Sequence, residues 1–202
     1  GLTMCIVACG ARDRHPLAVA KIDTLDGHVV LVMSPGPTAW ADSAHAWHLV
    51  EAQHIGGAAG TPGELIDPKS VAVDDAGRVY VADDKPAIIK VFAADGRFLH
   101  TIGREGEGPG EFRIGFLAIH GSKLIVHDPR LTRTSVFDTS GTFLKSWTST
   151  CCYYSPIDVD SAGRIYLPTM IRGDQKQAFN FLRYTLDGVF VDTLTVPALR
   201  ED

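Results

Sequence analysis

The sequence is poor in cysteine. Of its 202 residues only Cys5, Cys9, Cys151 and Cys152 are cysteines, with no Cys-x-x-Cys pair and no Cys/His zinc spacing. A structural zinc module is therefore excluded. Basic clusters are missing too: 19 Lys and Arg stand against 24 Asp and Glu, the net charge is −5, and nowhere do the cations gather. That balance excludes the electrostatic footprint of a nucleic-acid binder, and no nucleic-acid partner is expected. No window reads as an amphipathic helix of three turns. No Gly-x-Ser-x-Gly elbow or Ser/His/Asp constellation is present either, which removes the common nucleophilic hydrolases. What the chain does have is an ordinary hydrophobic content of 45%, with 20 glycines and 11 prolines spread at intervals, as in a protein of many tight turns.

Those glycines mark a repeat. "VAVDDAGRVYVAD" (71–83), "LAIHGSKLIVHD" (117–128) and "IDVDSAGRIYLPT" (157–169) each read as strand, turn, strand, and Gly77, Gly121 and Gly163 are spaced by 44 and 42 residues. A second series, "IIKVFAADGRFLHTI" (88–102), "RTSVFDTSGTFLKSW" (133–147) and "FLRYTLDGVFVDTL" (181–194), places Gly96, Gly141 and Gly188 at spacings of 45 and 47. Asp95-Gly96, Ser140-Gly141 and Asp187-Gly188 supply the positive φ that hairpins need. Inner runs such as Val71-Ala72-Val73 are apolar or small throughout, the pattern of a strand covered on both faces. Four short antiparallel strands per unit at roughly 40–50 residues is the signature of a β-propeller blade. The fold class is therefore all-β: four-stranded propeller blades forming an incomplete ring.

"GREGEGPGEF" (103–112) raises the question of a phosphate loop. Such a loop opens a helix and presents N–H groups or a Lys to the anion. Here Glu105, Glu107 and Glu111 would repel a phosphate, and strands follow. An imperfect copy, "GGAAGTPGEL" (56–65), precedes the first repeat. Both are read as crossovers between blades, with Pro keeping the chain out of the ladders and Phe112 and Leu65 plugging the seams.

At the N-terminus, the apolar "GLTMCIVAC" ends in Ile6-Val7-Ala8-Cys9 before Gly10 and polar "ARDRH". This resembles the end of a bacterial lipoprotein signal peptide, with Cys9 as the lipid-attachment residue and residues 1–9 as the remnant of the signal. A lead-in or linker follows at 10–46. Cys151 and Cys152 leave two readings open, a vicinal disulfide of unfavourable geometry or two partly buried thiols.

"PGELIDPKSVAVDDAGRVYVADDKPAIIKVFAADGRFLHTIG" resembles the NHL repeat almost throughout, and "IGREGEGPGEF" is similar to six-bladed NHL-repeat lipoproteins of environmental bacteria. The resemblance covers most of residues 26–196. It implies that residues 47–202 form a partial propeller, with a ring-closing strand at 47–55 and blades at about 66–103, 112–148 and 155–196. Six blades of this length need on the order of 260 residues, whereas 147 follow Ile55, so the chain reads as a fragment of about three blades. Blade three departs from the pattern at Leu167-Pro168-Thr169, at "TSTCCYYSP" (148–156), and at "MIRGDQKQAFN" (170–180), read as a long connection between its second and third strands. That makes it the expected place for a specialised surface.

Asp83 and Asp128 close the second strand of their blades, and their recurrence favours carboxylates that bond backbone N–H groups over ligands of a central channel. His45, His48, His100, His120 and His127 are scattered, without metal spacing on any predicted helix, and Arg172-Gly173-Asp174 is a tripeptide that chance supplies often. Some six-bladed propellers, similar to gluconolactonases and peptidyl-amidating lyases, hold a divalent metal at the channel mouth. The corresponding positions here, Lys69-Ser70, Arg113-Ile114 and Ser155-Pro156, offer no good metal ligand. No catalytic, cofactor-binding or metal residue is therefore assigned, and no cofactor is expected. The expected function is a non-enzymatic propeller that presents loops to a protein, peptide or glycan, anchored by lipid on Cys9 to the membrane of the bacterial cell envelope. The alternative is a metal-dependent hydrolase or lyase of propeller type.

Overall fold

The computed structural model describes residues 19–25, 28–34, 54–149, 155–172 and 177–195, which fall into two units divided between Glu51 and Ala52. The first unit contains an antiparallel pair, β1 (Val19–Leu25) with β2 (His28–Ser34).

The second unit is built from three four-stranded antiparallel sheets, each with its strands in sequence order. Blade 1 comprises β3 (Pro68–Val73), β4 (Val79–Asp84), β5 (Ala87–Phe92) and β6 (Phe98–Ile102). A crossover follows, carrying β7 (Arg104–Glu105) and β8 (Glu111–Phe112), which pair with each other in parallel. Blade 2 comprises β9 (Phe116–His120), β10 (Lys123–Asp128), β11 (Arg133–Asp138) and β12 (Phe143–Thr148). Blade 3 comprises β13 (Asp158–Val159), β14 (Ile165–Arg172), β15 (Gln177–Tyr184) and β16 (Phe190–Thr195). The first strands β3, β9 and β13 are neighbours, and the blades pack face to face from there. This is the arrangement of propeller blades that the repeat requires.

Each blade closes its outer hairpin in the same way. In 93–97, 138–142 and 185–189 the first residue donates its N–H to the carbonyl of the fifth, and the glycine N–H returns to the carbonyl of the first. The fourth residue is always the glycine, with φ of +85°, +103° and +81°. This is a three-residue loop ending in a left-handed bulge, which twists the strands in the hand the sheet needs. The register shifts beside it at Phe92, Phe137 and Tyr184, and each of these rings meets the ring two residues beyond the glycine edge-on. The pairs Phe92–Phe98, Phe137–Phe143 and Tyr184–Phe190 have centroids 5.9, 5.7 and 5.6 Å apart and cross at 68–74°. Such edge-to-face pairs add roughly 0.5–1.5 kcal/mol to the burial of the rings.

Two apolar seams join the three blades. Tyr80, Ile89, Val91 and Ile102 of blade 1 pack on Leu117, Leu124, Val126 and Phe137 of blade 2, with Phe112 inserted between them. Ile125, Phe116 and Ala118 of blade 2 pack on Ile157, Ile165, Leu167 and Tyr184 of blade 3. Phe112 thus plugs a seam as the sequence suggested, and Leu65 lies against the opposite face of blade 1 with Ile55.

Three readings change. Val71 and Val73 are 58% and 57% exposed rather than covered on both sides, whereas Leu117 and Ile157, at the equivalent place in blades 2 and 3, are 4% and 7% exposed. The later two have a preceding blade against them and Val71 has none. The crossover at 103–112 holds a short ladder on either side of Pro109 instead of staying unpaired. The segment 170–180 is not a long connection: Met170 pairs with Phe179 and Arg172 with Gln177, so the β14–β15 ladder runs on through most of it. By contrast the β13–β14 ladder stops at Tyr166, short of Pro168, which has no N–H to extend it.

Seam packing and hairpin geometry meet at one glycine in blade 2 and one in blade 3. A Cβ on Gly188 would lie 2.5 Å from Cδ2 of Trp147, at the end of the preceding outer strand, and Gly141 faces Ile102 in the same way at 3.0 Å. Gly121 also has positive φ, but a Cβ there would meet nothing within 4 Å. Gly188→Ala should therefore cost about 2–4 kcal/mol and Gly121→Ala only about 1. Urea midpoints of the two variants measure the difference, and equal shifts would contradict the close approach.

Candidate functional site

The sheet order separates two ends of each blade. The first-to-second and third-to-fourth strand turns lie at one end, each of two to five residues. The second-to-third strand turns and the crossovers lie at the other end. The second-to-third turns at 85–86 and 129–132 are short, but the crossover at 103–115 is the long connection of the arc and is rich in charge, so the crossover end is the candidate binding face.

Asp83 and Asp128 organise that face. Asp83 Oδ2 accepts from the Ile66 N–H at 2.9 Å and Oδ1 from the Asp67 N–H at 2.7 Å. Asp128 Oδ2 accepts from Arg113 at 2.6 Å and Ile114 at 3.4 Å, while Oδ1 takes Arg130 at 2.8 Å and Leu131 at 3.1 Å. Both carboxylates are buried. Each ties the incoming crossover to the end of the second strand, and Asp128 also holds the turn that follows. Burial alone would raise the Asp83 pKa, but the N–H groups of Ile66, Asp67 and Lys85, with Lys90 nearby, bring it below the ordinary carboxylate value. The sequence pointed to backbone bonding by these aspartates, but the preceding crossover as their partner was not foreseen.

A second tie per blade comes from the third strand. Lys90 Nζ donates to the Glu64 carbonyl and lies 3.5 Å from Asp83. Arg133 spans the next crossover, donating to the carbonyls of Glu107 at 2.7 Å and Glu111. Within 103–112 the Glu111 carboxylate takes the place an external anion would need. It accepts from the Gly108 N–H and the Arg104 guanidinium, both at 2.7 Å, and these two donors, in that order, lower its pKa. Gly106 and Gly108 leave room for it, since a Cβ on either would strike the carboxylate. The loop is thus folded around its own anion.

At the expected channel mouth, Ser70 Oγ accepts from the Leu117 N–H at 2.9 Å across the first seam, and Arg113 pairs with Glu107 at 2.8 Å. Lys69 is held by Asp67 at 2.7 Å. Among the described residues no three His, Cys, Asp or Glu side chains gather as a metal site. His100 and His120 lie in β6 and β9. His127 is buried in β10, its Nδ1 3.0 Å from Thr134 Oγ1 and 3.4 Å from Ser149 Oγ, while Nε2 has no partner among the described residues. Burial, opposed by Asp128, drives its pKa down to about 4. Cys9, Cys151, Cys152, His45, His48, Gly173, Asp174 and most of 47–55 lie outside the described residues.

Hairpin-end chemistry went unnoticed in the sequence. Asp74 accepts from the Ala76 and Arg78 N–H groups, the Arg78 Nε and the Tyr80 hydroxyl, and Asp160 does the same with Ala162, Arg164 and Tyr166. The signal was visible as Asp-x-x-Gly-Arg-x-Tyr at 74–80 and 160–166.

Residues 64–184 match the family described as 6-bladed beta-propeller. No curated protein matches the chain. Among solved structures, a candidate exported protein of Bacteroides fragilis is 16% identical with a TM-score of 0.51, covering 63% of this chain and 37% of its own. A nidogen/laminin complex gives 20% identity and a TM-score of 0.48, covering 63% of this chain and 47% of that one. The chain therefore spans less than half the length of either, and the likeness to the first is one of fold alone.

Two outcomes test this geometry. Asp128→Ala strips the acceptor from N–H groups of two segments and should cost about 2–4 kcal/mol, against under about 1 for Asp95→Ala, whose carboxylate takes only the exposed Arg97 N–H. For His127, the unfolded chain binds the proton more readily than the folded one. Its contribution is present in full above about pH 6.5 and falls away toward pH 4, by roughly 3 kcal/mol in all. Urea unfolding at pH 7.5 and 4.5 should show a smaller loss for His127→Gln than for the parent chain.

Proposed function

The chain belongs to the six-bladed β-propeller family, and from that premise we propose that it forms part of a non-catalytic binding propeller, exported and held by lipid on Cys9 in the bacterial cell envelope. It would offer its crossover face to a protein, peptide or glycan. The observation that carries the reading is the commitment of the blade-end carboxylates to the chain itself. Asp83 and Asp128 spend their oxygens on backbone N–H groups, and Glu111 on its own loop. A metal-dependent hydrolase of this fold would need such groups free and convergent at the channel mouth. Here they are consumed in holding the crossovers rigid, which suits a surface that binds without reacting. Export and anchoring rest on Ile6-Val7-Ala8-Cys9, and the candidate exported neighbour in fold agrees with export.

Two measurements decide the reading. Expressed in a bacterium behind a complete export leader, the protein should sediment with membranes and carry a diacylglycerol-sized mass increment on Cys9. Cys9→Ser should move it to the soluble fraction, and an unmodified Cys9 in membrane-free protein would overturn the anchor. Elemental analysis of the purified whole propeller should find no divalent metal at one equivalent. A stoichiometric ion lost with added hydrolytic activity on chelation would replace binding by catalysis.

A further inference from the structure

The two seams differ at their hairpin ends. At the first, the Tyr80 hydroxyl lies 3.1 Å from Asp74 Oδ2 and 3.2 Å from the Thr139 carbonyl of blade 2, its one proton shared between them. Arg78 closes over the same carboxylate at 2.7 Å. Aspartate, arginine and tyrosine together fill the space between the blades, and blade 3 repeats the set as Asp160, Arg164 and Tyr166. Blade 2 does not. The registers Ala72 with Tyr80 and Ala118 with Ile125 make Ile125 the counterpart of Tyr80, with Lys123 for Arg78 and His120 for Asp74.

Ile125 stops inside the apolar seam and sends nothing across. Where the tyrosine would have reached, a groove of about 470 Å³ opens between blades 2 and 3, lined by Val136, Leu144 and Leu186, with Lys123, Lys145 and Asp187 on its rim. That volume lies within the roughly 300–1,000 Å³ typical of ligand sites. Leu144 is 42% exposed on its floor. Lys145 is engaged across the seam with Asp187, but Lys123 makes no salt bridge among the described residues. The floor is aliphatic, without the aromatic platform or carboxylates that would suit a sugar ring. The rim offers one uncommitted cation.

We propose that this groove is a docking site for an extended acidic peptide segment of a partner protein, with an aliphatic side chain against Leu144 and Leu186, over the buried Val136, and a neighbouring carboxylate on Lys123. The site is distinct from the crossover face and does not depend on what binds there.

The test is a titration of the ¹³C-methyl-labelled chain with acetyl-Asp-Leu-Leu-Asp-amide, against acetyl-Lys-Leu-Leu-Lys-amide and acetyl-Asp-Ser-Ser-Asp-amide. The acidic leucine peptide should shift the methyl resonances of Leu144 and Leu186 with a dissociation constant on the order of 1 mM, as suits a single anchor side chain. Lys123→Glu, a surface change, should weaken this at least about fivefold, and the two control peptides should bind more weakly by a similar factor. The triple variant His120→Asp, Lys123→Arg, Ile125→Tyr should refill the groove and abolish the shifts. No methyl shifts up to about 10 mM peptide, equal response to the charge-reversed peptide, or binding undiminished by Lys123→Glu would each overturn the proposal.

Discussion

The structure rests on one constraint: a four-stranded sheet of this sequence is apolar on both faces and can hide them only against its neighbours. Leu117 and Ile157 are buried because a blade precedes each of them. Val71 occupies the same place in blade 1 and stands open. At the other end of the arc Leu194, in the position of the buried Ile102, is also open, as are Val189, Phe190 and Val191 around it. Val71 and Leu194 thus stand open at positions whose counterparts a neighbouring blade covers inside the arc, whereas Val79, Val81 and Phe92 of blade 1 are covered by Ile55 and Leu65. Burial at about 25 cal/mol per Å² makes each such face the dominant stabilising term for whatever blade covers it. No single blade is a stable unit, and cooperativity runs along the arc through nearest neighbours.

Packing alone would let blades slide, and polar ties set their register. The crossovers into blades 1 and 2 are each held by an aspartate at the end of the second strand and by a cation from the third, Lys90 or Arg133. The outer hairpin of the next blade receives a large residue from the end of the preceding outer strand on a bare glycine, Ile102 on Gly141 and Trp147 on Gly188. The device needs a residue without Cβ at the place where positive φ is also needed, so conformation and close approach select glycine together.

Much of this was legible in the residues. Glycines at spacings of 42–47 gave the period, Asp-Gly and Ser-Gly dipeptides gave the hairpins, and the acids of 103–112 ruled out a phosphate loop. Long-range partners were not legible, because a single sequence records which residue recurs and not what it faces. Asp128 was expected to bond its own turn and also bonds Arg113, fifteen residues earlier. The exposure of Val71 and Val73 could not be read from an apolar run, since burial depends on the presence of a blade beside the strand. The ladder through 170–180 was missed because Gly173 and Asp174 look like a loop, although the apolar residues flanking them continue the strand pattern.

In a repeat protein, function is to be sought where one copy abandons a rule the others keep, because regularity already serves stability. By sequence the third blade was the irregular one, with Pro168 and its unusual connections. The packing adds another irregularity, less visible and better defined. The Asp-Arg-Tyr set that braces blades 1 and 3 is replaced in blade 2 by His120, Lys123 and Ile125, at a cost of hydrogen bonds that nothing local restores. An aliphatic residue in place of tyrosine keeps the seam dry at its centre, where Ile125 is fully buried, and leaves its outer end open. Lys145 and Asp187 pair across the opening from blade 2 to blade 3, and Lys123 stands at its rim where blade 1 has Arg78 bound to Asp74.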